Sequence, residues 1–340
     1  GHHERDLRMN AIAKSQFAWL LKREYWESRR GFFWAQVITA GVIVGISILG
    51  IITAEVFRAR MGVQFGGPWG GANLNEMLRS ASQHDILQLV NGLDMTLLMF
   101  AGIASVVLCF VMFFYLLGSL YDDRRDRSIL FWKSLPVSDS QMVLSKLAWA
   151  LVLAPVLAVA IGLLIGLALW LISALTITVN GVPAAHAVFT QSHPLRIIGG
   201  VLACLPVYMA WALPTIGWLM FCSAAARSKP FLWAVLVPVL ACVVISMTTI
   251  LPGVDIAHDR VWYTLAYRGL LSAVPGAWFP TISGVVDTSG AINTPDDLAG
   301  AINLARSWQA FASADLWIGA VVGIALIAAA IRLRRWRDEG

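Results

Sequence analysis

The densest grouping of charged side chains is Tyr121-Asp122-Asp123-Arg124-Arg125-Asp126-Arg127, which runs directly into Ser128-Ile129-Leu130-Phe131-Trp132-Lys133-Ser134-Leu135-Pro136. A loop that only joined two helices would not need Ile129, Leu130, Phe131, Trp132 and Leu135 beside so many charges. An apolar cluster rimmed by charge is an interaction surface, so the chemistry expected here is recognition of a partner rather than bond-making. Docking on lipid is the plainer alternative. The tightest acid–histidine group is Asp255, His258 and Asp259, and it reads as a solvated loop. His84, His186, His193 and His258 have no H-x₃-H or H-E-x-x-H spacing, so no metal site is expected. Ser105, Ser173, Ser223 and Ser246 lie in or near apolar segments without a histidine, which makes an intramembrane hydrolase the weakest of three readings. The chain has no G-x-x-x-x-G-K-[ST] and hence no P-loop of its own.

Composition sets the solvent in which these residues work. Of 340 residues 58% are hydrophobic and 13% charged, with mean hydropathy +0.72. A soluble domain carries about 25% charged residues. These values exclude a soluble enzyme, a disordered chain and a coiled coil, and imply an all-α integral membrane protein. Six spans are expected, at Trp34–Ala54, Met95–Tyr121, Leu147–Val179, Ile197–Ala226, Phe231–Val254 and Leu316–Ile331; none contains Asp, Glu, Lys, Arg or His. Their lack of ionisable residues argues against proton- or sodium-coupled transport. Sixteen Lys and Arg fall on the face that holds both termini, and seven on the other, so the termini are expected in the cytoplasm. That bias accounts for most of the net charge of +5, and no nucleic-acid partner is implied. Cys109, Cys204, Cys222 and Cys242 all sit in apolar runs and read as small packing residues.

The positioning elements follow from periodicity and turn chemistry. Residues 1–8 read as a tag remnant before a natural start at Met9, residues 9–33 as an interfacial connecting helix, and 34–340 as the six-span domain. Phe17, Leu20, Leu21 and Tyr25 form one apolar stripe, and Gly31 allows a sharp turn into span one at Trp34. Ser138-Asp139-Ser140-Gln141 is a capping box that starts a helix running unbroken into span three. Outside the spans, a helix is expected over Leu74–Val90. Residues 255–315 form a long outer segment, in which Trp262–Val274 is helical and Pro275-Gly276 ends it. Pro155, Gly162, Gly166, Pro206, Pro214 and Pro238 read as helix breakers, by packing kinks or at a pathway. Phe110, Phe113 and Phe114 in span two, with Met247 and Thr248 in span five, are the candidate substrate-path residues.

The run Tyr121-Asp122-Asp123-Arg124, then Ser134-Leu135-Pro136-Val137-Ser138, then Val143-Leu144-Ser145-Lys146-Leu147 resembles the permease subunits of ABC-2 type (type V) ATP-binding-cassette transporters. Leu21-Lys22-Arg23-Glu24-Tyr25-Trp26 also looks like the connecting helix of bacterial members. The resemblance covers the whole topology. It implies a multi-pass exporter subunit of the bacterial inner membrane, with Ile129–Pro136 at or beside a coupling helix. Asp122, Asp123, Arg124, Arg125 and that apolar run would dock an ABC ATPase subunit, present in two copies, which binds ATP and Mg. It further implies a second permease copy, as a homodimer, and a path lined by spans two and five; Phe and Met there suit an amphipathic or hydrophobic substrate. A membrane scaffold or sensor that binds a cytoplasmic partner without moving substrate would share the same docking loop.

Overall fold

The computed structural model of the protein describes residues 2–61, 82–125, 138–179, 184–248, 257–282 and 304–338. Among these every regular element is helical, as a bilayer requires of a backbone that must satisfy its own amides within one segment. Five helices are long and apolar enough to cross a membrane: Gln16–Gly50, Gln83–Arg125, Asp139–Thr178, His186–Ala225 and Ala314–Trp336. The chain is a multi-pass membrane protein. Leu232–Met247 is a shorter apolar helix. At 1.5 Å per residue it reaches about 24 Å, short of a ~30 Å hydrocarbon core. Residues 249–256, which the expected fifth span needs, lie outside the described residues.

Helices α1 (His2–Arg29) and α2 (Ala35–Met61) are joined by a π turn at Arg30–Trp34 into one helical path. The sharp turn that Gly31 allows is not made, and the helical path runs on through it. A glycine costs a helix only about 1 kcal/mol. Here neighbouring packing outweighs it: Phe32 meets the rings of Tyr115 and Trp149 edge-on, with centroids 5.3 and 5.5 Å apart.

Helix α3 (Gln83–Ser119) starts from a capping box that the sequence reading missed, in which Ser82 and Asp85 bond each other's backbone amides. The separate helix expected to end at Val90 is, where described, the first turns of α3. A break at Leu120 leads to α4 (Tyr121–Arg125). The Ser138 box is as expected: Ser138 Oγ accepts from the Gln141 amide at 3.3 Å, and Gln141 Oε1 from the Ser138 amide at 3.2 Å. Helix α5 (Asp139–Ala148) then passes through a π turn, Trp149–Leu153, into α6 (Ala154–Val179) without a break. There follow α7 (Ala184–Gln191), α8 (Pro194–Ala225), a π turn at Leu232–Leu236 with α9 (Val237–Met247), and α10 (His258–Val261) with a π turn at Trp262–Arg268. Two 3₁₀ turns, Phe279–Thr281 and Leu304–Ala312, precede α11 (Ala314–Asp338).

Two helix pairs, α3 with α6 and α8 with α11, make the frame. In each, glycines let backbones approach closely. A Cβ at Gly162 would lie 2.7 Å from the Phe100 carbonyl, and one at Gly166 would lie 2.9 Å from Leu97 Cα. Gly217 and Gly323 likewise face each other, and a methyl on Gly323 would overlap the Leu213 carbonyl. Gly162 and Gly166 are thus contact points between helices, not bends. The deformation in that helix is the π turn two residues before Pro155, and Pro238 follows its own π turn by the same interval. Proline has no N–H for the carbonyl four residues back. At Pro238 that carbonyl, Ala234 O, accepts instead from Trp218 Nε1 at 2.9 Å, which ties α8 to the shorter helix. The described outer segment folds onto α8: Tyr208 donates to Ala273 O at 3.1 Å, and Trp278 packs on the Tyr208 ring. Its helix ends at Leu270, before the expected end at Val274, and the turns that follow include Gly276 at φ +77°.

Candidate functional site: a buried ionic cluster

The apolar stripe of α1 carries one acid. Glu24 falls four residues after Leu20 and so on the same inward face, and it is 2% exposed. It accepts from Tyr115 Oη of α3 at 2.6 Å and pairs with Lys146 of α5 at 3.4 Å. Lys146 lies 3.7 Å from Asp123 of α4, which lies 3.4 Å from Arg334 of α11. Arg334 also holds Asp139, the first residue of α5, at 3.2 Å. Arg23 closes on Glu24 at 3.6 Å. Three cations and three anions from four helices therefore form one chain of contacts, which Tyr115 ties to α3, with Glu24, Asp123, Lys146 and Arg334 all buried. Burying any one of these charges alone costs several kcal/mol. Mutual pairing offsets that cost and makes each helix's seat depend on the others. A recess of about 170 Å³ opens beside the cluster, lined among others by Glu24, Glu27, Asp122, Asp123 and Lys146.

The neighbouring helix end is stitched to the same place. Ser223 of α8 accepts from the amides of Leu120 and Tyr121, both at 3.0 Å, and donates to Leu117 O at 2.7 Å, bridging the break between α3 and α4. Arg124 donates to the Ser223 carbonyl and to Ala226 O at 3.1 Å. A cation at these terminal carbonyls also opposes the negative end of the helix dipole.

Of the residues expected to dock a partner, Asp123 is buried in the cluster and Arg124 is half-buried against α8, whereas Asp122 and Arg125 are exposed. Ile129, Leu130, Phe131, Trp132, Leu135 and Pro136 lie outside the described residues. The cluster surrounds both ends of the segment that contains them. The expected path residues are not gathered. Phe110 and Phe114 are exposed on one stripe of α3, 66% and 62%, and Met247 is exposed on α9. Phe113 packs against Phe231 with centroids 6.2 Å apart, and Thr248 Oγ1 turns back to Ile245 O. An open-sided apolar pocket lies elsewhere. A cavity of about 220 Å³ is bounded by α3, α6, α8 and the outer segment, with Leu98, Ala101, Val159, Val201, Tyr208 and Trp278 in its wall.

The weaker candidates carry little chemistry. His258 and Asp259 meet at 3.1 Å but both are exposed, and Asp255 lies outside the described residues. Ser105 bonds Ala101 O, one turn back on its own helix. Among the described residues no group of three or more His, Cys, Asp or Glu is placed to hold a metal. Two buried groups escaped sequence reading. Asp94, at the edge of span two, accepts from Ser192 and from the His193 amide at 3.0 Å, so it secures the start of α8. Arg268, in the expected helical stretch of the outer segment, is 7% exposed between α8 and α11.

Compared with known proteins, the chain matches no family model, no curated protein and no solved structure.

Proposed function

We propose that the chain is the permease subunit of an ATP-driven ABC-2 type exporter, moving an amphipathic or hydrophobic substrate with energy from a separate ATPase. The ionic cluster is the observation that supports this most. It binds α1, the end of α3, α4, the start of α5 and the end of α11 at the place where residues 126–137 leave and rejoin the helices. A push on that segment would reach α5, and the helical path from α5 continues unbroken to Val179. In this reading the chain crosses six times, with the segment from Phe231 to Val254 completing the fifth span. Both termini face the bacterial cytoplasm by the basic bias, and two permease copies work with two ATPase subunits. Ile129, Leu130, Phe131, Trp132, Leu135 and Pro136 make the docking contact, and the acidic recess beside the cluster suits a basic side chain of the ATPase.

The test is co-purification in mild detergent from cells that also express the ATPase encoded beside this chain. Stoichiometric ATPase is expected with the native chain and is expected to be lost when Phe131→Asp and Trp132→Asp are combined. Retention of the ATPase by that variant would show the docking assignment to be wrong. Turnover that rises on adding an amphiphilic substrate separates a transporter from a scaffold that only binds its partner.

A further inference from the structure

Arg268 lines a groove that has a charge at one end and only apolar surface at the other. Its guanidinium donates to Trp211 O at 3.4 Å, Ser272 Oγ at 3.0 Å and Asp315 O at 3.0 Å, and it stacks 3.9 Å above the Trp211 ring. These partners are neutral. Among the described residues no carboxylate pairs with it; the Asp315 carboxylate instead accepts from Tyr263 Oη at 3.1 Å. The seat is nevertheless built for this side chain. Thr215 and Ser272 bond the Arg268 carbonyl, and a methyl group on Gly319 would overlap the guanidinium. A buried cation whose direct contacts are all neutral, with only the exposed Asp315 carboxylate near it and that carboxylate bonded to Tyr263, leaves a place for a further anion at the groove mouth.

The groove encloses about 380 Å³. From Arg268 and Asp315 it follows Ile318, Val322 and Leu326 down one stripe of α11, opposite Val237, Pro238 and Ala241. Its dimensions match a leaflet. Asp315 and Arg334 are nineteen residues apart on α11, about 28 Å at the helical rise, close to the ~30 Å of a hydrocarbon core. Arg268 therefore sits at the membrane boundary remote from the ionic cluster. From Asp315 to Leu326 the groove descends about 16 Å, half that core. We propose that this groove holds one anionic phospholipid of that leaflet, with its phosphodiester on Arg268 and an acyl chain along Ile318, Val322 and Leu326. The Asp315 carboxylate at the rim disfavours a second negative charge, so a monoanionic headgroup is selected. The inference rests only on the chain lying in a bilayer, and is independent of which partner docks at the opposite face.

Native mass spectrometry of the full chain, released from phosphatidylcholine bilayers with and without phosphatidylglycerol, tests it. One phosphatidylglycerol per chain should be retained in preference to phosphatidylcholine. Arg268→Gln should weaken retention about tenfold or more, the scale of a hydrogen bond to a charged group. Val322→Trp fills the tail groove at a position 47% exposed, where the fold tolerates bulk, and should also release the lipid while leaving Arg268 in place. Equal retention of phosphatidylcholine, unchanged retention in either variant, displacement by inorganic phosphate alone, or a different co-purifying amphiphile in the groove would each overturn the proposal.

Discussion

Two buried charged regions sit near opposite ends of the protein and are built in opposite ways. In the ionic cluster Arg23, Lys146 and Arg334 answer Glu24, Asp123 and Asp139, so every buried charge has a partner on another helix. At the other boundary Arg268 rests on carbonyls, a hydroxyl and an indole ring, with no carboxylate pairing it among the described residues. The same cost of desolvation is met inside the chain in one region and left open in the other. A balanced cluster depends on all its members. A cation seated on neutral groups, with one exposed carboxylate near it, is where the proposed lipid would complete the balance.

The largest expected effect is at the centre of the cluster. Lys146→Met leaves Glu24 and Asp123 buried and facing each other, which should lower stability by about 3–5 kcal/mol, read as a drop in the thermal midpoint of the purified chain. Adding Glu24→Gln should recover part of the loss; a cycle with no coupling between these two positions would break the picture of a connected network. Tyr115→Phe removes only the hydroxyl donor to Glu24 and should cost about 1.5–3 kcal/mol on the same assay. Arg268→Met gives the sharpest contrast. It strands no buried counter-ion, so in lipid-free detergent it should cost no more than about 1.5 kcal/mol; a loss as large as that of Lys146→Met would erase the distinction between the regions. The smallest change is expected for Trp218→Phe, which leaves the Ala234 carbonyl without its donor near Pro238. About 1 kcal/mol should be lost, with faster hydrogen exchange confined to residues 232–247.

Legibility in the sequence followed what each signal measures. The long apolar helices, the Ser138–Gln141 cap and the helical path from Asp139 to Val179 are local patterns and were readable. Whether the chain turns at Gly31 was not legible, because a glycine permits a bend without requiring one; the contacts of Phe32 with Tyr115 and Trp149, which pack the continuous helix there, come from distant residues. Glu24 escaped because a single acid on an apolar stripe looks like a fault in the stripe until Lys146 and Tyr115 are placed beside it. Arg268 escaped because it falls in a broken segment between spans, where hydropathy carries no depth. Gly162 and Gly166 were read against their own helix, whereas their meaning lies in the backbone of the helix across from them. The run from Tyr121 to Pro136 was legible as a stretch of distinctive composition, and its apolar part lies outside the described residues.

The glycine contact between α8 and α11 also constrains the order in which the protein can be assembled. Gly217 needs Gly323, which leaves the ribosome about a hundred residues later; at roughly 5–20 residues per second that is a delay of about 5–20 s. During that interval α8 has been made but its closest-packed face has no partner. The pair α3 and α6 waits less, because Phe100 and Leu97 meet Gly162 and Gly166 only about 60–70 residues later. The first pair can close while the chain is still growing, and α8 is the helix most exposed to quality-control proteases or to wrong neighbours. Substitutions at Gly217 or Gly323 should therefore reduce the amount of protein that reaches the membrane intact more than they reduce the stability of the molecules that do.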